Sequence, residues 1–358
     1  MSTFTDATTG VRTSRRITFD DLTARHLDAW HTLRAANPLL DSPYFHPGFA
    51  GAVHAAGAPV EVFVAATGDT VQALLPMHRE GSLARPVGWP GADFQAPIRA
   101  PGTPFAPTEL LADGVRGFAF DHLLETDEAF APWVETRRTS PFLDVTGGLP
   151  GYLGRASSSG KSNMGQARRH AAKAERELGP VRFAMDVVDR DDLDDVIRLK
   201  RAQYAATGAP DYFADPRRVD LVRRLLAVRG GEFGGVLSTL WAGPHLLAAH
   251  FGLRADGVLH WWFPVYEPAY ARFAPGWILL RELVSAAPAL GVARIDLGRG
   301  EDEYKRRAKT GEASVAQGLV SRNAARRVLR RINRAVIVAA KTSPLGPPLR
   351  RAVRALRG

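Results

Sequence analysis

The residues best placed to do chemistry fall in one stretch of the chain. The segment VLHWWFPVYEPAYARFAPGWILLRELV, residues 258–284, is an aromatic strand that ends in a loop and feeds a helix entered through Pro275 and Gly276. The first N–H groups of a helix lack internal partners and attract anions, and a glycine there lets a phosphate approach closely. Helices also begin with Pro-Gly for capping reasons alone. The next segment, ARIDLGRGEDEYKRRAKTGE, puts Asp296 near a strand end and Gly298 and Gly300 in the turn after it. Tyr304 and Lys305 follow on a short helical piece. An acid, a phenol and an ammonium near a sheet end can supply a base, an acid and an anion contact. Asp296 can equally form a buried salt link with Arg294, Arg299 or Lys305.

Other chemistries are excluded or open. The chain has no cysteine, which removes thiol nucleophiles, disulfides and thiolate metal sites. Its ten histidines form no metal triad or H-x-x-x-H pair, so no metal is expected. No G-x-S-x-G elbow is present. GRASSSGKSN imitates a phosphate-binding loop, but the position that needs the first glycine is Arg155. The segment reads instead as a loop leading into a cationic helix with Arg168 and Arg169, able to contact an anion or simply solvated. His250 and His260 lie in strands as bases near neutrality or as structural histidines. The Gly/Pro-rich stretch 86–108 carries Trp89, Asp93 and Gln95, either a cleft lining or a structural loop.

These residues need elements to position them. The 358 residues, 45% hydrophobic, suffice for two domains or one large one. From Val181 the pattern reads β-α-α-β-β-β-α-β-α-β, with DRDDLDDVIRLKRAQYAATG its clearest helix, acids first and bases last. The first half is a vaguer version: helices from 21 to 57, a hairpin about Thr67-Gly68-Asp69, a helix over TELLADGVRG and a strand. The expected fold is α+β with α/β/α layers: two copies of one unit around mixed sheets. Its divisions are a flexible leader (1–20), an N-terminal domain (21–154), a C-terminal domain (155–318) and a basic tail (319–358). The net charge of +10 resides in that tail, which holds eleven Lys and Arg and no acid, so the body is near neutral. A neutral body argues against a broad nucleic-acid-binding face. The tail reads as an amphipathic helix that could rest on an anionic membrane through residues 322–357, or pack on the body.

With these motifs in view, the chain resembles the GNAT acyltransferase superfamily, and more closely its cellulose- and exopolysaccharide-biosynthesis (CelD-like) branch, related to the Fem-type aminoacyl transferases. The resemblance is firmest over 155–315. It rests on the basic helix with Arg168 and Arg169, the entry Pro275, Gly276 and Leu279, and the signature Asp296, Gly298, Tyr304 and Lys305. The superfamily's Q/R-x-x-G-x-G/A loop is reduced here to Arg272-Phe-Ala-Pro-Gly276 followed by the bulky Trp277.

The resemblance implies tandem GNAT-like domains, the first degenerate, and an acyl-CoA donor held by Phe263, Val265, Arg272, Pro275, Gly276, Trp277 and Leu279. The implied chemistry is transfer of an acyl group, acetyl foremost, to an amine or hydroxyl of a small molecule or saccharide. Asp296 or His250 would be the base and Tyr304 the leaving-group acid. Lys305 and Arg168 would hold anionic parts of a substrate, with Trp89, Asp93 and Gln95 on the acceptor side. An aminoacyl-tRNA donor and a non-catalytic scaffold are the alternatives. The polar N-terminus and the lack of a membrane-length apolar run point to the cytoplasm, with peripheral membrane contact through the tail.

Overall fold

A computed structural model describes residues 12–125, 128–229, 231–300 and 302–323. The first half contains strands β1 (Arg12–Thr18), β2 (Glu61–Thr67), β3 (Thr70–Glu80), β4 (Leu83–Pro86), β5 (Ile98–Arg99), β6 (Gly117–Leu124) and β7 (Val134–Asp144). Helices α1 (Ala24–Ala35) and α2 (Pro47–Ala55) lie between β1 and β2. Helices α3 (Gly148–Arg155) and α4 (Ser158–Leu178) lead into the second half. There follow β8 (Val181–Val187), α5 (Arg190–Thr207), α6 (Pro216–Ala227), β9 (Phe233–Ala242), β10 (His245–Ala255) and β11 (Val258–Tyr266). The half closes with α7 (Pro275–Ala286), β12 (Arg294–Asp296), α8 (Glu303–Ala308) and β13 (Gly311–Val320). This order is the one expected from Val181 onward.

All thirteen strands form one sheet, β1-β2-β3-β4-β6-β13-β7-β12-β11-β10-β9-β8, with β5 beside β3. Only β4–β6 and β11–β12 run parallel. Each half therefore has one parallel pair, and β11-α7-β12 is the crossover that builds the second. The halves interlock. β13, last in sequence, sits between β6 and β7 of the first half, and β7 pairs with β12 of the second. The sheet thus runs unbroken through the expected 154/155 division.

Local chemistry explains the elements around the site. β9, β10 and β11 are almost wholly buried, as central strands covered on both faces must be. Asp189 caps α5 by accepting from Asp191 N at 2.8 Å, Asp191 and Asp192 favour its positive end, and Gly208 ends it in the left-handed conformation. One core joins Trp30, Phe49 and Val62 of the first half to Leu193, Val222 and Phe251 of the second. Ion pairs cross the same seam: Arg34–Asp256 at 2.6 Å and Arg294–Asp41 at 2.6 Å.

Four expectations change. Residues 12–18 of the expected leader are the edge strand β1, because Arg12–Thr18 finds a full antiparallel register on β2. The helix expected over TELLADGVRG is only a 3-10 turn, Pro107–Leu110, whose continuation is broken by the left-handed Asp113 and Gly114. The GRASSSGKSN loop is helical. It spans the end of α3 and the first turn of α4, which Ser157 caps by accepting from Gly160 N. The expected tail begins too early, since Leu319 and Val320 complete β13; residues 324–358 lie outside the described residues. No described helix is long and apolar enough to cross a membrane.

Because β13 is woven into the first half, the two halves should unfold together. Ala316, fully buried between β6 and β7, is the position to test. An unpaired carboxylate there should cost on the order of 3–5 kcal/mol. Wild type is expected to show one urea transition, coincident by far-UV circular dichroism and Trp fluorescence, and Ala316→Asp to move both probes together. Two separated transitions in wild type would refute the shared unit.

Candidate active site

β12 is three residues long and β11 is nine. They pair only over Val258–His260 and Arg294–Asp296. Beyond that point Leu297 still donates to Pro141 O of β7 at 3.0 Å but no longer pairs with β11, which runs on from Trp261 to Tyr266 with no described strand on that side. A cavity of about 550 Å³ opens there, the size of a small-molecule site. Trp261, Trp262, Pro264, Val265 and Tyr266 form its β11 wall, and Lys200 and Gln203 of α5 border it. Such a cleft, at the carboxyl ends of a parallel pair where the strands part, is the usual ligand position in open α/β sheets.

The start of α7 closes one side through Ala274, Pro275, Gly276, Trp277 and Leu279. Ala274 holds φ 48°, a left-handed conformation that is strained for alanine and found preferentially at functional turns. Gly276 is not required by the backbone: its φ is ordinary, and a Cβ added there would meet nothing within 4 Å. The missing side chain leaves open space over the first turn of a twelve-residue helix, where free N–H groups and the helix dipole favour an anion.

Cations reinforce that preference. Lys305 is buried and donates to the carbonyls of Gly298 at 3.3 Å and Arg299 at 3.1 Å. Lys200 Nζ donates to Pro264 O at 3.4 Å. Burial pushes the Lys200 ammonium down to about 8, Lys305 adds to the fall and Asp302 opposes it. Tyr304 lines the same cavity, and burial, with Asp302 adding, raises its phenol well above the usual range, so it stays protonated.

The first half contributes Asp93. Its carboxylate lies between two buried histidines from opposite halves: Oδ1 is 2.9 Å from His122 Nε2 on β6, and Oδ2 is 3.0 Å from His260 Nε2 on β11. His122 Nδ1 is 3.0 Å from Asp121 Oδ1. Gln95 supports the group, donating to Asp121 Oδ1 at 2.8 Å and accepting from the N–H groups of Asp121 and His122. Burial alone would raise the Asp93 carboxyl, but His122 and His260 outweigh it and hold the group well below the usual carboxylate range. Burial likewise opposes charge on His122, yet Asp93 and Asp121 prevail and raise its pKa. Gly298 has φ 71°, and a Cβ there would sit 2.2 Å from Asp93 Oδ2, so only glycine fits beside the carboxylate.

The structure gathers Val265, Pro275, Gly276, Trp277, Leu279, Tyr304, Lys305 and Asp93 around one cavity and places the other sequence-derived candidates elsewhere. Phe263 packs on Tyr212 and Phe213 in the core. Arg272 lies over Phe273 and pairs with Glu177 at 3.0 Å. Arg168 is exposed on α4, whose buried Met164 and Ala167 turn its basic face outward. Trp89 borders a different cavity, of about 480 Å³, with Arg85 over its ring. Gln95 is buried and acts through Asp121. His250 is wholly buried, stacked on Trp261 at 4.1 Å, and burial, with His260 adding, lowers it to about 3, so it has no access to a substrate proton. Asp296 forms the salt link, with Arg294 Nε at 2.9 Å, and faces a small cavity beside Asp41. Burial outweighs Arg294 and raises its carboxyl, and Asp296 is not among the residues lining the main cavity.

Three participants escaped the sequence reading. Lys200 follows Leu193 and Ile197 at helical spacing, so a lysine on an apolar stripe was its signal. Asp121 and His122 are adjacent polar residues inside the otherwise apolar run GFAFDHLL. Among the described residues no group of three or more His, Asp or Glu could hold a metal ion.

With this geometry in place, comparison with known proteins is informative. Residues 161–306, from α4 to α8, match the family described as "Acetyltransferase (GNAT) domain". That stretch is what the chain shares with the GNAT acetyltransferases. Among solved structures it is similar to one titled FemX, with TM-score 0.56 and 9% identity, covering 85% of this chain and 96% of that one. It is also similar to the C-terminal domain (DUF2156) of a protein described as a lysylphosphatidylglycerol synthetase from Agrobacterium fabrum, with TM-score 0.53 and 12% identity over 87% of this chain and 96% of that one. At these identities the likeness is one of fold, and it extends over 85–87% of the chain. A tandem GNAT protein from the clavulanic acid biosynthesis pathway matches more loosely, at TM-score 0.46 and 12% identity over 87% of this chain and 98% of that one. No curated protein matches the sequence.

The cavity makes one electrostatic prediction that needs no ligand. With lysine side chains labelled at Cε, Lys200 should titrate near 8, and Lys305→Met should raise that value by removing a neighbouring charge. An ordinary lysine titration for Lys200 in wild type would contradict the geometry.

Proposed function

We propose that the protein is an acyl-CoA-dependent acyltransferase that moves an acyl group, acetyl foremost, to an amine or hydroxyl of a small molecule or saccharide. The observation that carries this reading is the cavity where β11 and β12 part, closed by the uncluttered Gly276 turn of α7 within the matched GNAT domain. An anionic donor would take the helix mouth, with Lys200 and Lys305 offsetting its charge. Its thioester would lie along the apolar β11 wall. Tyr304, held protonated, would give a proton to the leaving thiolate. A role in polysaccharide or cell-envelope synthesis, in the cytoplasm or at a membrane surface met by the basic tail, is the cellular setting we favour.

Calorimetric titration with acetyl-CoA and a longer acyl-CoA tests the reading. Saturable binding is expected in wild type and in Gly276→Ala, and at least a tenfold loss in Gly276→Trp, which fills the open turn. Because the chain has no cysteine, a thiol reagent then reads only released CoA during acceptor screening. Folded wild-type protein that binds neither thioester would overturn the proposal. Salt-sensitive binding of charged tRNA in that case would favour an aminoacyl-tRNA donor of the Fem type.

A further inference from the structure

The pair of histidines on Asp93 has a consequence for the second substrate. His122 faces a carboxylate from each ring nitrogen, Asp93 at 2.9 Å and Asp121 at 3.0 Å. A neutral imidazole donates from one nitrogen only. The other would turn its lone pair on an anion, so the two carboxylates favour the imidazolium and raise the His122 pKa against its burial. Asp93 is therefore an ionised group with a built-in counter-ion, and His260 fixes its second oxygen from the opposite half. Side-chain accessibilities of 3% for His122 and 0% for His260, against 24% for Asp93, show that the clamp is closed on one side and open on the other. The open side belongs to the cavity.

Within that cavity Asp93 is the fixed acid. The other one, Asp302, is 63% exposed and lies 3.5 Å from Lys305. No lysine or arginine among the described residues pairs with Asp93 within 4.0 Å. Each carboxylate oxygen, having met one imidazole, retains acceptor capacity. Trp261 and Trp262 line the same cavity.

We infer that Asp93 is the acceptor-side positioning residue, an ionised carboxylate that takes an N–H of a primary amine nucleophile, and that His122 and His260 hold it in place for that task. The inference rests on the acyl-transfer reading. It also distinguishes between the two acceptor classes left open there, because a hydroxyl brings no charge to a permanent anion. A carboxylate so firmly ionised orients the nucleophile and does not store its proton. The bound ammonium first releases one proton to solvent; the freed nitrogen lone pair then forms the C–N bond as the C–S bond breaks, the nitrogen loses a second proton, and the thiolate takes up one.

The test uses the full chain, with propylammonium chloride as probe against 1-propanol and sodium chloride at matched ionic strength. Ring 15N resonances of His122 and His260 report arrivals at Asp93. Propylammonium should move both saturably and 1-propanol should not. Asp93→Asn should weaken the response at least tenfold. His260→Gln, which keeps the carboxylate but loosens its clamp, should weaken propylammonium at least threefold. No saturable response in wild type, or an equal response in Asp93→Asn, overturns the inference even if acetyl-CoA binds. Propylammonium binding without acetyl-CoA binding would leave the amine anchor standing and sink the acyl-transfer reading.

Discussion

The brevity of β12 governs the rest of the molecule. Three residues pair with β11 on one side and β7 on the other, enough to join two halves into one sheet but not to accompany β11 to its end. A strand needs partners for its backbone groups along its whole length. Where β12 stops, β11 must be served by something other than a strand, and the space so created is the cavity. Gly298 makes the departure possible, since its left-handed backbone turns the chain away and its missing side chain clears room for Asp93. Had β12 continued as far as β11, the sheet would be more regular and the site would be absent.

The same junction explains why the site is composite. Asp93 and His122 come from the first half, while His260, Lys200, Tyr304 and the α7 mouth come from the second. A carboxylate buried at such a seam is costly unless it meets opposite charge and donors, and the two histidines supply both. The arrangement ties the seam to the chemistry, because whatever separates β6 from β11 also releases Asp93. The interleaving of β13 between β6 and β7 guards against that separation, as do the ion pairs Arg34–Asp256 and Arg294–Asp41. Stability and site geometry are thus carried by the same strands.

Charge is distributed within the cavity in a way that suits two different ligands. Gly276 at the head of α7, Lys200 and Lys305 favour an anion, while Asp93 offers a fixed negative charge between its histidines. Burial and Lys305 together lower the Lys200 ammonium to about 8. Tyr304 is displaced the other way and remains a donor.

The sequence by itself determined the element order of the second half, the aromatic strand, the Pro-Gly helix entry and the grouping of Tyr304 and Lys305 after Asp296. Those features are local: hydrophobic periodicity, capping residues and turn glycines act over a few neighbours. It did not determine which acid faces the cavity. Asp296 and Asp93 both sit beside glycine-rich turns, and only the tertiary structure decides between them, by giving Asp296 to Arg294 and Asp93 to two histidines from opposite halves. His250 and His260 are alike in sequence, each in a buried strand, yet one stacks on Trp261 and the other meets Asp93. The strand assignment of Arg12–Thr18 and the return of β13 into the first half also required the assembled sheet, since register is a pairing between distant segments. What a side chain touches across a seam of more than a hundred residues is settled by packing, and no local pattern encodes it.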